Sequence, residues 1–180
     1  MTPRDPTKTL REQIESVAET VQEFEAAAEH FYQEGKFLVK KRHHYAGIYL
    51  LGYAAEMWLK TAYFRLINLL SSDAVTPQLP LAAQRGKNTL SPPVADAEGY
   101  HNLLLWWRLV EHERSNAQNP FPRQPFTSKF ALELQNVVFR LHANWWIQMR
   151  YRSPIGATKE AEQYLKDVEW IRENHDLLWG

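Results

Sequence analysis

The sequence predicts an all-α fold, an antiparallel up-and-down bundle of about five helices in a single domain spanning residues 1–180. Three observations carry this expectation. Apolar side chains recur at steps of three and four along most of the chain, the period of a helix with one buried face. The ten prolines gather in four places: the extreme N-terminus, Pro77 to Pro93, Pro120 to Pro125, and Pro154. An interior proline costs a helix about 3 kcal/mol, so the long proline-free segments between them are the natural helices. No convincing run alternates with the period of two that a half-buried strand requires.

The elements follow in order. After a flexible stretch at residues 1–9, Thr9 and Glu12 have the spacing of a capping box, which starts the first helix. Its stripe reads Leu10, Ile14, Val17, Val21, Phe24, Ala28, Phe31, and Gly35 supplies a stop. Its other face carries Glu12, Glu15, Glu19, Glu23, Glu25, Glu29 and Glu34 and reads as solvated. A basic connection, Lys36 to His44, leads to a second helix over residues 45–70. This one buries Ile48, Leu51, Ala55, Trp58, Leu59, Ala62 and Leu66, with Gly52 and Ala54 small enough to admit a close neighbour. Residues 71–98, with four prolines and no sustained period, read as a long loop. A shorter helix follows over 100–116, then a proline-rich turn. The fourth helix is capped by Thr127 or Ser128 and runs to Met149, with Phe130, Leu134, Val137, Leu141, Trp145 and Met149 inward. The fifth starts near Thr158 and buries Ala161, Tyr164, Leu165, Val168 and Ile171.

A chain of this length buries a sizeable core without staples. Its 21 basic and 21 acidic residues balance, so any nucleic-acid surface is local rather than global. The absence of cysteine removes disulfides, thiolate metal sites and cysteine nucleophiles. No stretch approaches the roughly 20 apolar residues of a membrane span, and the N-terminus lacks an apolar signal core, so a cytoplasmic protein without a membrane partner is expected.

Phosphate loops, the Gly-x-Ser-x-Gly elbow and the His-Glu-x-x-His zinc helix are absent. Glu-x-x-His occurs once, at Glu98 to His101, and the seven histidines share no helical face, so no metal and no cofactor is expected. Two basic clusters remain. Lys40, Lys41 and Arg42, flanked by Phe37 and Tyr45, interleave cations with rings in the manner that suits phosphates and bases. Arg150, Tyr151 and Arg152 offer guanidinium forks beside a stacking face, although arginines near a helix C-terminus also complement its dipole. Glu56 and Lys60 form an i,i+4 pair in the favourable order beside a buried face, an ion pair that fixes packing or part of a polar site.

The string AGIYLLGYAAEMWLK at residues 46–60 resembles the second helix of HEPN-domain proteins. Tyr100-His101-Asn102-Leu103-Leu104 is similar to the start of that family's third helix. Arg150-Tyr151, followed by Thr158-Lys-Glu-Ala-Glu, is similar to its step into the last helix. The three segments occur in the family's order and span most of the chain from residue 45. The resemblance implies a HEPN-like bundle, a homodimer, a prokaryotic defence or toxin-antitoxin setting, and cleavage of RNA or binding of nucleotides or partners; together with the basic clusters it makes Arg150, Tyr151, Arg152, His101, Lys40, Lys41 and Arg42 the candidates to bind nucleotide or RNA phosphate.

RNA-cutting members resemble one another in an arginine followed after four to six residues by histidine. This sequence departs from that pattern: Arg150 and Arg152 have no such histidine, and Arg108 and His112 are separated by three residues. The chemistry needs histidine for proton transfer and arginine to hold the phosphate, so a non-catalytic module is expected. The alternatives are a metal-independent ribonuclease in which folding brings His101 to Arg150, and a protein-binding module for a nucleotidyltransferase-like partner.

Overall fold

The computed structural model describes residues 19–90, 101–116, 125–145 and 158–180, and they form an all-α helical bundle. Six helices lie among them: α1 Val21–Lys40, α2 His44–Leu66, α3 Gln78–Asn88, α4 Leu103–Ser115, α5 Ser128–Asn144 and α6 Thr158–Trp179. The nearest approach to a strand among these residues is one isolated bridge, Thr20 with Ala74. The Thr9 and Glu12 box, Leu10, Ile14, Val17 and Met149 lie outside the described residues.

Helix α1 opens on a capping box made by Thr20 and Glu23. The Glu23 amide donates to the Thr20 hydroxyl at 3.3 Å, and the Thr20 amide donates to the Glu23 carboxylate at 2.8 Å. The segment after α2 completes the cap. The Val21 and Gln22 amides donate to the carbonyls of Asp73 and Ser71, so first-turn groups that a helix leaves open find acceptors.

Gly35 does not end α1, which continues to Lys40. A Cβ there would lie 2.7 Å from Leu51 Cγ and 3.0 Å from the Gly47 carbonyl, so this glycine is the point where α1 and α2 touch. The stop comes later, at Arg42, whose φ of 66° is left-handed. The Arg42 amide donates to Val39 and the His43 amide to Leu38, the pairing of a Schellman turn. Asn68, also at φ 66°, ends α2 the same way, with Asn68 donating to Arg65 and Leu69 to Phe64.

The stretch 71–98 is not wholly loop, because α3 lies inside it. Pro77 caps α3 and Pro80 is its third residue. A first-turn residue has no intrahelical acceptor for its amide, so proline costs little there. Gly86 sets α3 against Leu105 of α4, and Arg85 donates to Glu113 at 2.8 Å.

Helix α2 is the central column. It contacts α1, α4 and α6 and buries Leu51, Ala54, Ala55, Leu59, Tyr63 and Phe64 completely or nearly so. The acidic face of α1 is only partly solvated: Glu25 pairs with Arg65 at 3.0 Å and Glu29 with Arg172 at 2.8 Å. Of the inward positions expected on the last two helices, Leu134, Val137, Leu141, Trp145, Ala161, Tyr164, Val168 and Ile171 are buried, while Phe130 and Leu165 are half-buried. No helix among the described residues is long and apolar enough to cross a membrane.

Candidate functional site

Midway along α2 the chain buries an acid and a base one helical turn apart. Glu56 is fully enclosed and Lys60 nearly so. The Lys60 ammonium pairs directly with the Glu56 carboxylate and lies over the Trp106 ring at 5.1 Å and the Phe24 ring at 5.7 Å. An ammonium taken out of water needs both the opposite charge and the negative ring faces that surround it here.

His101 completes the cluster. The cap of α4 puts it there: the Asn102 side chain accepts from the Leu105 amide at 3.1 Å, and His101, the residue before that cap, points back at α2. Its Nδ1 stands 3.1 Å from each Glu56 carboxylate oxygen. A carboxylate only accepts, so Nδ1 carries the proton and Nε2 becomes the acceptor of the neutral ring. The imidazole is 36% exposed, so a buried anchor holds a ring that solvent and ligands can reach.

Aromatic rings form one wall of the site. Tyr53 meets His101 edge-on with centroids 5.8 Å apart, and it meets Trp145 at 5.4 Å and Tyr49 at 5.0 Å in the same manner. The Tyr49 and Tyr53 hydroxyls are 3.0 Å apart. Trp145 is seated by its indole N–H, which donates to the Tyr49 carbonyl at 3.0 Å, and by Gly52, where a Cβ would come within 2.0 Å of the indole. The small residue admits a tryptophan ring rather than a neighbouring helix backbone.

Of the residues expected to form a site, Glu56, Lys60 and His101 come together. Lys40, Lys41 and Arg42 do not join them. They are exposed at the turn before α2, and His44 to Glu56 is roughly 18 Å of helix at 1.5 Å per residue. Lys41 lies over the Phe37 ring at 5.7 Å. Arg150, Tyr151 and Arg152 lie outside the described residues. Arg108 and His112 line a separate cavity of about 360 Å³ with Glu111, about three turns along α4 from His101. Burial raises the Glu111 carboxyl above its ordinary value, with Arg108 working against it.

Spacing does not single out Tyr49, Tyr53 or Trp145 as site residues. The Trp145-Trp146 pair and the tyrosines at i and i+4 are visible in the sequence, but the meeting of Trp145 with Tyr49 bridges 96 residues. Among the described residues, no group of three or more His, Asp or Glu is arranged to hold a metal ion. Comparison with protein-family models, with curated proteins and with solved structures gave no match.

Proposed function

We propose that this chain is a HEPN-like module that binds nucleotide or RNA phosphate beside His101, midway along its central helix, without catalysing a reaction. One observation carries the reading: a partly exposed imidazole, anchored by a buried carboxylate, stands beside a wall of three aromatic rings. The half-buried Tyr49 and Tyr53 rings, backed by the buried Trp145, offer stacking faces to bases, and the imidazole donates to a phosphate oxygen when Nε2 takes up a second proton. The resemblance of residues 46–60 to the HEPN second helix supports it, because Tyr49, Tyr53, Glu56 and Lys60 all fall within that string. On the same resemblance we place the protein in a prokaryotic defence or toxin-antitoxin setting, as a homodimer, with Arg150, Tyr151 and Arg152 adding phosphate contacts.

Binding of RNA and of mononucleotides measured against salt concentration tests this reading. His101→Ala is expected to weaken binding about ten-fold and, if the contact is ionic, to reduce the salt slope by about one phosphate. The double variant Arg150→Ala, Arg152→Ala is expected to reduce it further. Curves identical to wild type for both variants would remove the proposal.

A second reading is favoured by the bond from His101 to Glu56. A carboxylate that fixes one tautomer leaves the other ring nitrogen placed for proton transfer, as a metal-independent ribonuclease requires. Incubation with total RNA in EDTA separates the two readings, since cleavage no greater than that of a His101→Ala control disposes of the enzyme.

A further inference from the structure

The turn that joins α1 to α2 carries a dense run of cations. Lys40, Lys41, Arg42 and His43 are all exposed. Lys40 helps to hold the Glu169 carboxyl down, whereas Lys41, Arg42 and His43 make no ion pair with a described residue. Arg42 stands in the left-handed region, at φ 66°, a place that glycine fills at lower cost. Strain kept at an exposed residue points to a use for its side chain rather than to a need of the fold.

Two rows of side chains run from this turn to the His101 site. Along α2, Tyr45, Tyr49 and Tyr53 recur every four residues and are half-buried. Tyr49 meets Tyr53 ring to ring, and Tyr53 meets His101. Along α1, Phe31 packs on Tyr53 with centroids 5.6 Å apart, and steps of three, four and three residues carry the same side of that helix through Glu34 and Leu38 to Lys41. The cations therefore lie at one end of an aromatic row and the imidazole at the other. At 1.5 Å of helix per residue the row is roughly 18 Å long, and a stacked strand advances about 3.4 Å per nucleotide, so about five nucleotides cover it. Sites for single strands combine a cationic path with rings on which successive bases stack, over roughly 4–16 nucleotides. A lipid surface would ask for a wide apolar face beside the cations, and the row that leaves this turn is tyrosine instead.

We infer that the ligand of the His101 site is a single strand of RNA rather than a mononucleotide, with its bases along the tyrosine row and its far phosphates held by Lys41, Arg42 and His43. This rests on the function proposed above and extends it from one end of the row to the other. Glu34 carries the opposite charge on the same side of α1 and weakens the hold on the strand.

The test measures binding of uridine 5′-monophosphate and of oligouridylates of two, four and eight nucleotides to the full chain, each against salt concentration. The octamer is expected to bind more than about ten-fold tighter than the dinucleotide, with a salt slope steeper by roughly 0.7 for each further phosphate engaged. Arg42→Gly is the deciding variant, because it removes a cation and relieves strain together. It should melt no lower than wild type yet bind the octamer several-fold more weakly, and Lys41→Gln should weaken octamer binding to a similar extent. Glu34→Gln should tighten octamer binding about two-fold. None of these three substitutions should alter binding of the mononucleotide, whereas His101→Ala should weaken both ligands. The strand is overturned, with the His101 reading left standing, if the octamer binds no tighter than the dinucleotide, or if wild type, Arg42→Gly and Lys41→Gln bind it alike. Octamer binding that responds to Lys41 and Arg42 but not to His101→Ala overturns both.

Discussion

Lys60 shows how one residue can govern a site it does not itself present. Its charge is the main neutraliser of a carboxylate that has no access to water. Lys60→Met strips that neutralisation from Glu56, and loss of one partner of a buried pair costs about 3–5 kcal/mol. The double variant Glu56→Leu, Lys60→Met is expected to recover most of this loss, because no buried charge is left unpaired. Denaturant unfolding of the two singles and the double gives the coupling directly. The double variant should still lose the His101 site, since the ring no longer has its anchor. Arg42 offers the opposite sign of change. A non-glycine residue in the left-handed region carries roughly 1–2 kcal/mol of strain, so Arg42→Gly should raise the unfolding free energy by about 1 kcal/mol.

At the scale of the element, the glycines separate contacts that can yield from contacts that cannot. A methyl at Gly35 meets Leu51 Cγ at 2.7 Å and backbone atoms at 3.0 Å, so Gly35→Ala is expected to cost about 1–3 kcal/mol. A methyl at Gly86 meets the far end of the Leu105 side chain, which can rotate away. The gain in helix propensity is about 1 kcal/mol, so Gly86→Ala should fall within about 1 kcal/mol of wild type. Thermal melting of the two variants side by side checks both. The same glycines mark where the helices were legible in the sequence. The periodic segments at 44–66, 103–115, 128–144 and 158–179 are helices, but α2 stops at Leu66 rather than residue 70, and α5 stops at Asn144 rather than Met149 because Trp145 is extended, with its indole N–H on the Tyr49 carbonyl. Gly35 misleads because a packing glycine and a stop glycine look alike until the partner helix is known. Pro77 and Pro80 mislead because the first turn of a helix tolerates the residue that its interior rejects. The site was half legible: i,i+4 spacing pairs Glu56 with Lys60, but His101 reaches Glu56 across 45 residues, and no local period encodes such a meeting.

For the whole molecule, the seam between α1 and α6 ties stability to pH. Glu29 accepts from both the Nε and Nη2 of Arg172, at 2.8 and 3.1 Å, and these bonds hold its carboxyl below its ordinary value. Burial alone would raise Glu169, but hydrogen bonds from Lys36 and Tyr32, at 2.8 and 2.9 Å, outweigh it and leave that carboxyl lowered too. A carboxyl lowered on folding stabilises the native state above its unfolded value, here 4.5, and that share is lost as pH falls through the folded value. Wild type should therefore lose denaturant resistance more steeply below about pH 5 than the variant Glu29→Gln, Glu169→Gln, whose seam no longer titrates. Equal pH slopes for the two proteins would show that the seam does not contribute.

The three-residue turn between α1 and α2 also sets an order of assembly. Residues 41–43 bring the two helices together with almost no loop to close, whereas α6 must return to α2 from about a hundred residues away. Closing the longer span costs more chain entropy and slows the contacts that depend on it. Pulse-labelled hydrogen exchange during refolding should protect amides around Ala28 and Leu51 before those around Val168, with the hairpin serving as the template on which the last helix docks.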